Sequence, residues 1–502
     1  MTNEQNNSFQ IEMYSKREPS QVKATIKIDA ENGKPIDKLL KITAFSKIVS
    51  SEAVDADTIL QGETVVFALY KTDTDEMISV KNTVSWQDRL PSLGAVTILA
   101  TPKVVEYDIL GQDEDGVMVN LVHSISIGEV SRCDVGAALE ENIGLEKDVE
   151  TIDIVKVVGA NNTIFTVSDE WDENFSSESR ILSRDVSVDT INQFAGIDNV
   201  TVEGELTLNM LVGNDTGVEM IKRKIPFKNE LECFGTNPNN IVLVALNVSS
   251  IMAGIRESTE KSSTIAVDIE INAQIVSSQA ETVEVVKDCY SAVQDTKLSV
   301  ESVNFSSILA TTFVESNTQT SALLDGKTGV DEVLAVINPE FSVTATERNN
   351  DKLQLYGNVD LSIVYKNNEL NTINTFDAVC PLTFEFDCGE NYDNIDSVSV
   401  SIESYKLKAG SEIQILINAV VGISKQETKQ VVYVSNVEYS DEERVESSAI
   451  KVYVVKDGDR VFDIAKKLGV TMSNLISQNP DLDSGVVAGE KVYMYIPVVA
   501  NF

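Results

Sequence analysis

Gly62-Glu-Thr-Val-Val-Phe-Ala-Leu-Tyr70 alternates polar and apolar residues, and the same phrase returns as Gly204-Glu-Leu-Thr-Leu-Asn-Met-Leu-Val212 and Gly357-Asn-Val-Asp-Leu-Ser-Ile-Val-Tyr365. A period of two puts apolar side chains on one face of an extended chain, so each copy is predicted to be a half-buried strand. The leading glycines stand 142 and 153 residues apart. Solenoid repeats recur every 20–50 residues or so, so a unit this long is predicted to bury its own core.

Working outward, each of these glycines is followed by another, Gly94, Gly235 and Gly389, at offsets of 32, 31 and 32 residues. A later strand recurs at steps of 148: Val117, Val119, Leu121, His123, Ile125 and Ile127 alternate as do Ile265 to Ile275 and Ile413 to Ile423. Shorter matches tie the copies in pairs, Ile36–Leu40 with Val330–Leu334 and Val149–Asp153 with Val300–Asn304. The reading is a mainly β chain: a flexible N-terminal tail over 1–19, then three β-rich antiparallel modules over 20–132, 133–285 and 286–435. Asn436 to Ser448 is acidic and poor in apolar residues, so 436–450 reads as a linker.

The chain has 502 residues with 42% hydrophobic residues and only 10 prolines, which fits folded domains and excludes collagen-like or disordered classes. Forty basic against 79 acidic residues give a net charge of −39, which disfavours nucleic acid and anionic membrane as partners. Met1 to Ser20 lacks the apolar run of a secretory signal, and no stretch approaches the ~20 apolar residues of a membrane span. The protein is therefore expected to stay in the compartment where it is made.

Five cysteines without a Cys-x-x-Cys pair argue against a zinc site or a disulfide framework, and the single His123 excludes paired-histidine chemistry. His123 shares its strand position with Ile271 and Ala419, so packing can fill that slot. Gly326-Lys-Thr328 lacks the earlier phosphate-loop glycine, where Ser321 stands, and reads as a turn. Asp113-Glu-Asp-Gly116 fails the calcium-loop register and reads as a hairpin turn. Cys233 and Cys388 occupy matching places and read as small buried residues. No catalytic nucleophile, cofactor site or metal site is expected, so the chain is read as non-enzymatic.

The tail differs. From Lys451 to Phe502 there are six basic and six acidic residues, so this end is neutral. Tyr453–Val455 is strand-like, and Asp459 is expected to cap a helix from about Arg460 to Leu468, ended by Gly469. Thr471 is expected to cap a second helix that Asn479-Pro480 stops, before a strand at Val492–Ile496. These residues, Tyr453-Val-Val-Lys-Asp-Gly458-Asp459, Ile464-Ala465, Leu475-Ile476, Asn479-Pro480 and Gly489 to Pro497, resemble a βααβ LysM domain, here 451–499.

The three modules resemble the SPOCS domain, and modules, linker and LysM together are similar to the SipL-like spore coat morphogenetic proteins. That resemblance implies an adaptor in the mother-cell cytoplasm. It would gather at the outer forespore surface, dock through LysM to the coat's basement-layer ATPase and recruit other coat proteins. The general LysM family implies the alternative, binding of peptidoglycan glycan in a shallow groove at the cell or spore surface. By matching position the groove residues are Gly458, Asp459, Arg460, Val461 and Phe462 on one side and Asn479, Pro480 and Asp481 on the other. Arg460 stands where glycan-binding members place a small hydroxyl residue, and with an exposed Phe462 it would suit a protein interface. Phe462 as a cover of the small core is the competing expectation.

Overall fold

A computed structural model describes residues 8–495 except 92–94, 137–143, 175–178, 215–216, 259–261, 325–326, 328, 371, 390–391, 393, 409–410 and 445–449. Gly94, Gly326 and Thr328 therefore lie outside the described residues.

The repeat becomes three six-stranded antiparallel units. The first comprises β1 (Ser8–Asp29), β2 (Lys38–Val54), β3 (Asp57–Lys71), β4 (Met77–Pro91), β5 (Ala95–Gln112) and β6 (Gly116–Gly136). The second comprises β7 (Leu145–Glu173), β8 (Arg180–Ala195), β9 (Asn199–Asn214), β10 (Gly217–Glu232), β11 (Ile241–Ser258) and β12 (Ser263–Ser291). The third comprises β13 (Gln294–Leu323), β14 (Glu332–Asn349), β15 (Lys352–Asn367), β16 (Thr372–Asp387), β17 (Asn394–Lys408) and β18 (Glu412–Glu443). Each unit stacks two three-stranded sheets with one topology: β1-β6-β5 on β2-β3-β4, β7-β12-β11 on β8-β9-β10, and β13-β18-β17 on β14-β15-β16.

The three quoted phrases form the central strands β3, β9 and β15, and their glycines carry an aromatic ring from a neighbouring strand. A Cβ on Gly62 would meet the Trp86 ring, one on Gly204 the Phe227 ring and one on Gly357 the Phe341 ring, all inside 3 Å. The hairpin turns before these strands also repeat, with Asp55, Asp198 and Asn350 at φ between 54° and 57°. Asp and Asn tolerate this left-handed conformation better than other side chains.

The units close on one another. The fourth strand of each packs against the second strand of the next, β4 on β8, β10 on β14, and β16 back on β2. The first strands β1, β7 and β13 also touch pairwise. Equivalent residues consequently meet around a pseudo-threefold axis: Leu69, Leu211 and Val364 in one apolar cluster, and Ile11, Ile154 and Phe305 in another. Between them lies a cavity of about 660 Å³ bordered by β2, β5, β8, β11, β14 and β17. Every one of these six edge strands carries a register shift, whereas β4, β10 and β16 pair without one. Bulges bend and twist an edge out of register with further strands.

Two sequence expectations are corrected. Ser8 to Pro19, expected in a flexible tail, lies in β1, with Ser8 opposite Gly136 and Arg17 opposite Ile127. Val437 to Glu443, expected in the linker, continues β18 against β13 down to Gln294↔Glu443. Likewise β6 runs past position 133 and β12 past 285, so these boundaries fall within strands. These are ends of long two-stranded ribbons, where solvent reaches the strands and polar residues pair as well as apolar ones; Lys297 and Glu438, for example, bridge across at 3.2 Å. His123 is fully buried, its Nε2 2.7 Å from the Thr64 hydroxyl and its ring beside Trp86. The Asp113 carboxylate accepts from the N–H groups of Asp115 and Gly116, a self-contained turn. Cys233 and Cys388 are buried free thiols.

Candidate functional site

The C-terminal domain is β19 (Ile450–Val454), α1 (Val461–Leu468), α2 (Met472–Gln478), a 3-10 turn (Pro480–Asp483) and β20 (Lys491–Tyr495). Phe462, Ile464, Ala465 and Leu468 form the buried face of α1 at helical spacing. Gly469, left-handed at φ 69°, ends it. Thr471 caps α2 by accepting from Asn474 N–H at 3.2 Å. The helix caps differ from expectation at one place: Arg460, not Asp459, is the N-cap of α1.

Asp459 instead ties the preceding turn. Its carboxylate accepts from Lys467 at 2.7 Å, from Lys456 N–H at 2.8 Å and from the Tyr453 hydroxyl at 2.8 Å. The Lys467 ammonium, with these hydrogen bonds, holds the Asp459 carboxyl down at about 2. Gly458 opens the turn at φ 83° and is exposed. Asn479 bridges α2 to β20: its amide donates to the Leu475 and Tyr493 carbonyls and its side-chain oxygen accepts from Tyr493 N–H. Pro480 and Asp481 are exposed and begin the 3-10 turn. The two predicted groove sides are thus each fixed locally by Asp459 and Asn479, and Val461 is half-buried between core and surface.

Phe462 is not the exposed aromatic of an interface. It is only 5% exposed, and its ring meets Tyr290 of β12 edge-on at 5.2 Å. Tyr290 belongs to the LysM core cluster and donates its hydroxyl to the Val470 carbonyl at 2.7 Å. Arg460 reaches in the same direction, with a bidentate pair to Asp148 at 2.8 and 2.7 Å and a second contact to Asp463. Those carboxylates, Asp148 first, raise the Arg460 guanidinium further above its ordinary value. Lys466 places its ammonium 2.6 Å from both oxygens of Asp288, and Met472 N–H donates to Glu146. Sequence reasoning missed Glu146, Asp148, Asp288 and Tyr290; no local period marks a ribbon end that serves a domain over 150 residues later.

The opposite face of the small hairpin is open. Ile450, Val452 and Val454 of β19 and Tyr493 and Tyr495 of β20 are each more than half exposed, with Ile450 paired to Tyr495 and Val452 to Tyr493.

Among the described residues, no group of three or more His, Cys, Asp or Glu is placed to hold a metal ion, and no helix is long and apolar enough to cross a membrane. A family model for the SipL SPOCS domain matches residues 179–256, the β8–β11 part of the second unit. A LysM domain model matches 453–492. No curated protein and no solved structure matches the chain. Both matched domains are binding modules, LysM domains typically binding peptidoglycan glycan, and their combination marks a sporulation-related protein. With a SipL-type SPOCS domain matched at 179–256 and a LysM domain at 453–492, the chain matches the domain pattern of a SipL-like protein.

Proposed function

We propose that the protein is a non-enzymatic adaptor of spore coat assembly. It works from the mother-cell cytoplasm at the outer forespore surface. Its LysM domain docks to the coat's basement-layer ATPase, and its three β units recruit other coat proteins. The observation that carries this reading is the pairing, on one chain, of the SPOCS match with a LysM domain whose entry loop presents Arg460 to a protein carboxylate. A guanidinium fork suits a carboxylate partner and has no acceptor to offer a sugar hydroxyl. The exposed part of the docking surface is Gly458, Arg460, Pro480 and Asp481. Three related units around one axis offer three related surfaces, and tethered modest contacts add through effective concentration. The acidic body would favour basic partners and disfavour nucleic acid.

The second reading is retention on peptidoglycan or cortex through the LysM domain, favoured by the ordinary ligand of such domains. A tagged full-length chain in a lysate of sporulating source cells, with purified peptidoglycan as competitor, separates the two. The adaptor reading expects capture of the coat ATPase, undiminished by peptidoglycan and weakened about tenfold by Arg460→Glu, about 1.4 kcal/mol of binding. Retention on peptidoglycan with no ATPase captured would overturn it.

A further inference from the structure

Asp148 and Asp288 stand directly opposite each other on the β7–β12 ribbon. Like charges across a strand pair destabilise it. At the equivalent place of the third unit the pair is uncharged, Ser299 facing Asn436. The second unit thus carries a repulsive pair where the third carries a neutral one, and the LysM domain supplies its two counterions, Arg460 to Asp148 and Lys466 to Asp288. Two residues further along the same face, Glu146 and Tyr290 are also paired, and both contact the LysM domain. Four residues of one ribbon face thus make a docking site for the basic side of α1.

From this arrangement we propose that the LysM domain is latched onto the second unit in the free chain, and that the face made by Arg460 and Lys466 is the one an acidic partner must take over. The partner fits by presenting two carboxylates at cross-strand spacing, the pattern that Asp148 and Asp288 already present in cis. The two ion pairs are partly exposed, screened by salt and individually weak, so a competing acidic surface can take over the basic face while the buried Tyr290–Phe462 contact keeps the domain on the ribbon. The partner half of the proposal rests on the LysM domain being the docking domain; the latch half does not.

Two full-length variants test it, read by hydrogen exchange of α1 in the free chain and by capture of the coat ATPase from the same lysate. Asp148→Asn with Asp288→Asn removes the repulsive pair without endangering the ribbon, and Arg460→Gln with Lys466→Gln removes the counterions. Both variants are expected to speed α1 exchange about tenfold or more, as local opening becomes easier. Capture should then part: raised by the aspartate changes, which free the basic face, and lost with the Arg460 and Lys466 changes, which delete it. Unchanged exchange in both variants would overturn the latch. Faster exchange with capture retained by the Arg460 and Lys466 variant would overturn the shared face. Absence of capture even by the unaltered chain would count against the adaptor reading, and the exchange result would still decide the latch.

Discussion

The Phe227 ring lies over Gly204 across the β9–β10 pair, so closely that a Cβ on the glycine would fall 2.5 Å from the ring. An aromatic covering a strand glycine recovers the packing the glycine itself lacks. Gly204→Ala should therefore force the ring off its seat and destabilise the second unit by at least about 2 kcal/mol. Gly254→Ala is the control: nothing lies within 4 Å of its Cβ position, and about 0.5 kcal/mol or less is expected. Urea unfolding midpoints of the two variants decide it.

Tyr290→Phe removes one buried hydrogen bond, to the Val470 carbonyl, and should cost the LysM domain about 1 kcal/mol. Tyr290→Ala also empties the space against Phe462 and should cost about 3 kcal/mol or more. Differential scanning calorimetry should show the LysM transition moving to lower temperature in that order.

Burial holds the His123 imidazole below its ordinary value. Well above about 6.5 the ring is neutral folded or unfolded and pH has no effect through it. As pH falls through that value the unfolded chain takes a proton that the buried ring refuses, so stability declines. His123→Ile, which places there the residue found at Ile271 in the second unit, should flatten this decline in thermal midpoints measured from pH 7.5 down to pH 5, a window of about 2.5 units around the free value.

Asp185 lines the central cavity, where burial raises its carboxyl to about 6 despite hydrogen bonds from Asn209 and the Asn338 backbone. Its folded value lies above its unfolded one, so the favourable contribution is full below the ordinary carboxyl value of 3.8 and lost as pH rises through about 6. Asp185→Asn should then match the unaltered chain near pH 4 and exceed it by about 1–3 kcal/mol near pH 7.5. Chemical denaturation at the two pH values checks this.

Much of the body was legible in the sequence. Alternation located β3, β9 and β15, but not their burial: Thr64 to Lys71, Leu206 to Val212 and Leu361 to Val364 are buried on both faces, because the neighbouring sheet covers one face and the adjoining unit the other. The 148-residue step aligned His123, Ile271 and Ala419, which all prove fully buried on β6, β12 and β18. In the LysM domain the caps at Thr471 and Gly469 were readable, since capping is local chemistry. What misled was polarity: residues 8–19 and 437–443 looked like tail and linker. Their backbones nevertheless pair, because a ladder needs only N–H and C=O groups.

The sequence by itself determined the repeat, the strands and the βααβ tail, since each depends on residues within a few positions of one another. Tertiary structure alone decided the ring. Leu69, Leu211 and Val364 become one cluster only when β4, β10 and β16 each reach the next unit. It likewise decided the fate of Phe462, because an aromatic at the end of a short helix is exposed or buried according to what packs on it, and here that is Tyr290. Contacts between residues so far apart depend on the register and twist of whole sheets, which no local period records.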